Sequence, residues 1–227
     1  MLYDNIILHI PHAGILGPDG ERIELTPSEW LLVDKYTDEL FGAKASFGIR
    51  SVSFPYCRLF CDVERLPHDP LEDDNMGVHY SLERKIGTDK ESFKLYEEHQ
   101  HQLAQAILAN GDHTLLVDCH TFSQKPNALQ PDTTGFEDID ICIGYNEDWS
   151  KPTEAIPYFV DEFQRRGYMV RVNYPFSNAK AFELPKRYHS IMLEVNKRVY
   201  MNEDTGEKNE GFESLQKAIG EILNGLL

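Results

Sequence analysis

A chain of 227 residues, 41% hydrophobic and 26% charged, has the composition of an ordinary globular protein and can bury one sizeable core. Its formal net charge of −16 at pH 7 argues against nucleic acid, which needs a basic footprint, and against an anionic membrane surface. No apolar run approaches bilayer-spanning length. The start Met1-Leu2-Tyr3-Asp4-Asn5 lacks the basic region and long apolar stretch of a secretory signal, so a cytoplasmic protein is expected.

Strand and helix signals alternate along the whole chain, with no repeat, low-complexity tract or linker, which predicts one α/β domain over 1–227. The expected strands are Asn5–Ile10, Ile49–Phe54, Arg58–Val63, Thr114–Cys119, Ile139–Gly144, Met169–Asn173 and Ser190–Val195. Several are short and almost wholly apolar, as strands covered on both faces are. Thr26-Pro27-Ser28-Glu29 is a capping box with proline at the first helical position and predicts a helix over Pro27–Ala43. Thr88-Asp89-Lys90-Glu91 predicts a second, with Phe93, Tyr96, Leu103 and Ile107 as its core stripe. Further helices are expected over Thr153–Arg166, stopped by Gly167, and Glu213–Leu226, while the acidic stretch His68–His79 reads as a loop.

In open α/β sheets ligands bind beyond the carboxyl ends of the strands. The first strand ends in His9-Ile10-Pro11-His12-Ala13-Gly14, where His12 sits in a turn and is free to point into a crevice. The fourth ends in Val117-Asp118-Cys119-His120-Thr121, an Asp-x-His in which the carboxylate can orient the imidazole. Asp34 and Asp38, four apart on the first expected helix and so on one face, each offer a third ligand for a catalytic zinc site. Taken singly, His12 and His120 read more readily as satisfied structural histidines; together at two strand ends they point to a metal.

His99 and His101, two apart on a helix, cannot face one ligand, and with His68, His79 and His113 they are expected to be solvated. Glu194 interrupts the apolar strand Ile191–Val195 and needs either a cationic partner or a role as general base. Arg58 and Arg65 can grip a substrate carboxylate or pair with Asp62 and Glu64. The cysteines Cys57, Cys61, Cys119 and Cys142 form no CxxC pair and are expected to be reduced and buried. There is no GxSxG elbow or phosphate loop, and Cys119 beside His120 points to the opposite face of its strand, which disfavours a thiol hydrolase.

In order along the chain stand His9-Ile10-Pro11-His12-Ala13-Gly14, Asp34-x-x-x-Asp38-Glu39-Leu40-Phe41, Arg58-x-x-x-Asp62-x-x-Arg65, Val117-Asp118-Cys119-His120, Asp140-Ile141-x-x-Gly144, Asn173-x-Pro175-Phe176 and Leu193-Glu194-Val195. Together they resemble the N-formylglutamate amidohydrolases from His9 to about Tyr200. The resemblance implies a three-layer α/β sandwich, a mixed, mostly parallel sheet between helices in the manner of zinc carboxypeptidases (phosphorylase/hydrolase-like). It implies one Zn²⁺ on His12, His120 and Asp34 or Asp38, with Glu194 as general base. Arg58 and Arg65 are then expected to recognise the substrate carboxylate or steady the oxyanion. Asn173, Phe176, Ser177 and Asn178 fall in the segment expected to line the pocket, where Ser177-Asn178-Ala179 replaces the small residue and glycine pair usual in the family.

The expected activity is hydrolysis of the formyl or acyl amide of a small acidic N-acyl amino acid, N-formyl-L-glutamate first, by a monomer or small homo-oligomer. A zinc hydrolase of another N-acyl amino acid or small peptide, and a non-catalytic ligand-binding protein on the same fold, are the competing expectations.

Overall fold

A computed structural model describes residues 1–42, 48–66 and 89–227. Strand periodicity is its organising feature. The strands β1 (Asn5–Ile10), β2 (Ile49–Ser53), β3 (Thr114–Phe122), β4 (Ile141–Gly144), β5 (Val170–Val172) and β6 (His189–Asn196) form one sheet in the order β2-β1-β3-β6-β4-β5. The four strands β2, β1, β3 and β6 run parallel; β4 is antiparallel to β6, and β5 is parallel to β4. A two-stranded hairpin, β7 (Met201–Asn202) with β8 (Glu207–Lys208), lies outside it.

Because successive side chains alternate between faces, each central strand serves two layers. Ile6, Leu8 and Ile10 of β1, Leu115, Val117 and Cys119 of β3, and Ile191, Leu193 and Val195 of β6 share one apolar cluster. It is completed by Leu40 and Phe41 of α2 (Thr37–Gly42), Phe159 and Phe163 of α4 (Ala155–Arg165), and Leu215, Ile219 and Ile222 of α5 (Gly211–Leu226). On the other face Ile7 and Leu116 meet Leu103 and Ile107 of α3 (Asp89–Leu108). The result is the expected sandwich of helices, mixed sheet and helix. The same alternation puts His9, Asp118, His120 and Glu194 on the α3 side of the sheet.

Two expected elements take another form. The capping box at Thr26 is present, with Thr26 Oγ1 accepting from the Glu29 amide and Glu29 Oε2 from the Thr26 amide. The helix it opens, α1 (Pro27–Trp30), nevertheless ends after one turn. The carbonyls of Leu31 and Val33 accept from Lys197 Nζ, and that of Leu32 accepts from Arg58 Nη1. Tyr36 then takes φ 70°, the left-handed region, before α2 begins. Arg58–Val63 is likewise a turn rather than a strand: the amides of Phe60 and Cys61 both donate to the Cys57 carbonyl.

The other helices match their signals. Gly167, at φ 90°, closes α4 as expected. Thr88 and the His68–His79 loop lie outside the described residues. Among the described residues no helix is long and apolar enough to cross a membrane.

Candidate metal centre and active site

The turn after β1, the bend between α1 and α2, and the end of β3 bring three buried side chains together. Asp34 owes its place to its own backbone, whose amide donates to the His12 carbonyl at 3.0 Å. Its Oδ2 lies 3.5 Å from His12 Nδ1 and 3.2 Å from His120 Nδ1. Ligands about 2.1 Å from a zinc ion at tetrahedral angles stand roughly 3.4 Å apart, so these spacings suit a small divalent cation. Among the described residues His12 Nδ1 is buried with no hydrogen-bond partner, which is costly unless something takes its lone pair. The donor set of two imidazoles and one carboxylate fits zinc.

Both imidazoles are held from behind. His12 Nε2 is 2.8 Å from Asp62 Oδ1, and His120 Nε2 is 3.1 Å from Asp118 Oδ1. A proton on each Nε2, donated to a carboxylate, leaves each Nδ1 free to face the cation, which is the usual support for metal-binding histidines. Burial on its own would raise the Asp62 carboxyl, but His12 and Arg58 hold it well below the usual carboxylate range. Burial is likewise outweighed at Asp34, by His12 and His120, and at His120, which Asp118 and Asp34 push well above the usual imidazole value.

Glu194 pairs in register with His120 on the neighbouring strand. It has no ion pair with a lysine or arginine among the described residues, and its buried Oε2 has no hydrogen-bond partner. Burial, reinforced by the charges of Asp34 and Asp118, pushes its carboxyl up to about 8. Of the two readings open at sequence level, the internal ion pair is not present among the described residues.

These groups border a cavity of about 850 Å³, within the range of small-molecule sites. Arg58, Arg65, Phe176, Ser177 and Asn178 all line it, as does Lys180, which the sequence did not single out. Arg58 also donates to Asp62 Oδ2 at 2.9 Å, and Arg65 Nε is 3.9 Å from the same oxygen. Arg58 and Asp62 meet across one turn of chain, not by strand parity.

Several sequence expectations need correction. Asp38 is exposed on α2 and outside the cluster, because the broken helix separates it from Asp34. Asn173 does not line the cavity; its Oδ1 accepts from the Tyr145 amide at 3.0 Å at the end of β5, whose direction opposes that of β6. Cys119, as expected, packs in the apolar cluster on the face opposite His120, and burial raises its thiol well above the ordinary value. His101 and His113 are exposed as expected, but His99 is buried, with Nε2 2.9 Å from His9 Nε2. Burial, with the charge of His9, pushes His99 down to about 2. The signal for its burial was on the page: His99 stands three residues after Tyr96 and four before Leu103, on the core stripe of α3.

Comparison with known proteins bears on kinship and fold. The family model for N-formylglutamate amidohydrolase matches residues 4–201. A crystal structure of N-formylglutamate amidohydrolase from Ralstonia eutropha JMP134 superposes with a TM-score of 0.76 at 18% identity, covering 100% of this chain and 94% of its own. A gene product of Agrobacterium tumefaciens superposes with a TM-score of 0.61 at 16% identity, covering 99% and 92%. A search of curated proteins finds no match. At such identities the two structures speak for the fold, and the family match, which spans most of the sequence, speaks for kinship. The chain belongs to the N-formylglutamate amidohydrolase family.

Proposed function

We propose that the chain is a zinc-dependent hydrolase that cleaves the amide of an N-acyl amino acid, N-formyl-L-glutamate first, giving formate and L-glutamate. The observation that carries this reading is the convergence of His12 Nδ1, His120 Nδ1 and Asp34 Oδ2 at 3.2 and 3.5 Å, with Glu194 on the adjoining strand. A zinc ion held by those three residues supplies Lewis acidity, polarising the scissile carbonyl and making water more acidic.

The chain's own groups do the rest. Glu194 accepts a proton from the attacking water at its free Oε2 and returns one to the amide nitrogen as the C–N bond breaks. Asp62 and Asp118 keep the imidazole rings of His12 and His120 in one tautomer and one orientation. Arg58, already fixed by Leu32 and Asp62, faces the cavity and neutralises negative charge on the tetrahedral oxygen or on the substrate carboxylate. Arg65 and Lys180 add positive charge to a cavity wall within a strongly acidic protein, which favours an acidic substrate locally.

A second reading has its own support. Leu31, Leu32, Phe122, Leu129 and Phe176 give the cavity an apolar side, which suits an N-acyl amino acid with a larger acyl group than formyl. Metal-free protein, prepared with a chelator, is assayed on a panel of N-formyl, N-acetyl and longer N-acyl amino acids before and after one equivalent of zinc. Zinc-dependent release of glutamate, fastest from the formyl compound, supports the first reading, and preference for a longer acyl chain the second. Turnover of none of them with zinc bound leaves the non-catalytic binding protein ahead.

A further inference from the structure

Behind the metal centre runs a line of polar side chains that hydrolysis itself does not use. His99 Nε2, from α3, lies 2.9 Å from His9 Nε2 near the carboxyl end of β1. His9 Nδ1 lies 3.0 Å from Asp118 Oδ1 and 3.0 Å from Glu64 Oε1. Asp118 Oδ1 in turn lies 3.1 Å from His120 Nε2, and His120 presents its other nitrogen to Asp34. All but Glu64 are buried. The ring of Phe54 stands edge-on to His99 at a centroid distance of 5.0 Å and fixes its plane.

We infer that His9 and His99 are positioning residues for the metal centre, holding Asp118 in the orientation that commits His120 to present Nδ1 to the cation. The inference rests on the metal-dependent reading above. For Nδ1 to be a ligand, the His120 proton must sit on Nε2, and an acceptor must be waiting there. Asp118 is that acceptor only while its carboxylate stays in plane with the ring. Its Oδ2 is pinned by the Lys180 amide at 3.0 Å, and its Oδ1 is shared by His120 and His9. His9 can donate from Nδ1 toward Asp118 only if its ring keeps that attitude, and one proton between the two Nε2 atoms of His9 and His99 fixes it. Burying two imidazoles for this purpose is expensive compared with apolar residues of similar volume. A filling role alone would need neither the short nitrogen–nitrogen contact nor the carboxylates on either side.

His9, Glu64 and Asp118 also form a group close enough to hold a cation of its own. The hydrogen-bond reading is favoured because N–H donors already occupy both Asp118 oxygens, from His9 and His120 on one side and from Lys180 on the other.

The test is zinc affinity, measured on the full-length metal-free protein by competition with a chromophoric chelator, alongside zinc content and thermal melting. His99→Leu removes the contact at similar volume, while His99→Gln keeps a side chain able to bridge to His9. The Leu variant should bind zinc about 10- to 100-fold more weakly with the metal-free fold intact, and the Gln variant should recover most of the loss. If His99→Leu does not fold, His99→Met is measured in its place, since a flexible thioether fills irregular space. Wild-type affinity in either folded apolar variant overturns the inference, and so does failure of both to fold, which would make His99 a structural residue. Two zinc ions per wild-type chain, one of them lost in the variant, would overturn it in favour of a second metal site. A wild type that binds no zinc removes the metal-dependent reading itself, a result distinct from unchanged affinity.

Discussion

His12 Nε2 lies 2.8 Å from Asp62 Oδ1, and the other oxygen of that carboxylate takes Arg58 Nη2 at 2.9 Å. One buried carboxylate thus orients a metal-facing imidazole and anchors a cavity arginine. Asp62→Asn keeps the shape and removes the charge. Zinc affinity is expected to fall about 10- to 100-fold, and the protein is expected to lose stability because Arg58 stays buried beside a neutral amide. Zinc titration and urea unfolding of the same preparation check both parts; wild-type values in both would show that Asp62 only fills space.

In the proposed reading Glu194 moves a proton, and it is not among the three clustered residues His12, Asp34 and His120. Glu194→Gln should therefore lower kcat by about 10²- to 10⁴-fold and leave bound zinc at one per chain. Turnover near the wild-type rate would remove it as the base.

Asp34 and Asp38 were both candidates in the sequence, with Asp34 favoured, and the fold separates them. Asp34→Ala is expected to abolish zinc binding at micromolar metal, whereas Asp38→Ala, an exposed change on α2, should leave zinc content and activity as they were. Metal analysis after gel filtration separates them, and the reverse pattern would mean that the bend at Leu31–Tyr36 is misread.

Lys197 is buried in the short turn after β6, and its Nζ donates to the Leu31 and Val33 carbonyls at 2.8 Å each. Those two bonds hold the bend that carries Asp34. In Lys197→Met two buried acceptors lose their donor, at roughly 1–3 kcal/mol apiece. The expected outcome is a lower urea midpoint together with weaker zinc binding; lost stability at unchanged zinc affinity would detach Lys197 from the site.

The regular part of the fold was legible because burial leaves a periodic trace. β1 was read to the residue, and β3, β4 and β6 to within a few, since apolar residues on both faces leave short unmistakable runs. What misled were segments whose backbone groups are satisfied by distant side chains. A capping box and good helix formers predicted one long helix from Pro27, yet Lys197 and Arg58 claim the carbonyls of Leu31–Val33 from far along the chain, and no local pattern reports that. The Arg58–Val63 turn shows the same limit, its apolar residues serving separate clusters rather than a sheet. The meeting of His12 with His120 and the burial of Glu194 could be expected from strand ends and an out-of-place charge. Asp62 and His9 were on the page as residues, but their roles depend on neighbours 50 and 109 positions away.

Asp118 holds His120 on one oxygen and the Lys180 amide on the other, and Lys180 closes a stretch from Phe176 that borders the cavity. One carboxylate therefore joins a metal-facing imidazole to a strip of the cavity wall. If an occupied cavity changes the metal affinity through that carboxylate, thermodynamic linkage requires the metal to change the occupant's affinity by the same factor. Metal affinity measured with the cavity empty and with it filled by a substrate analogue reads the size and sign of that coupling.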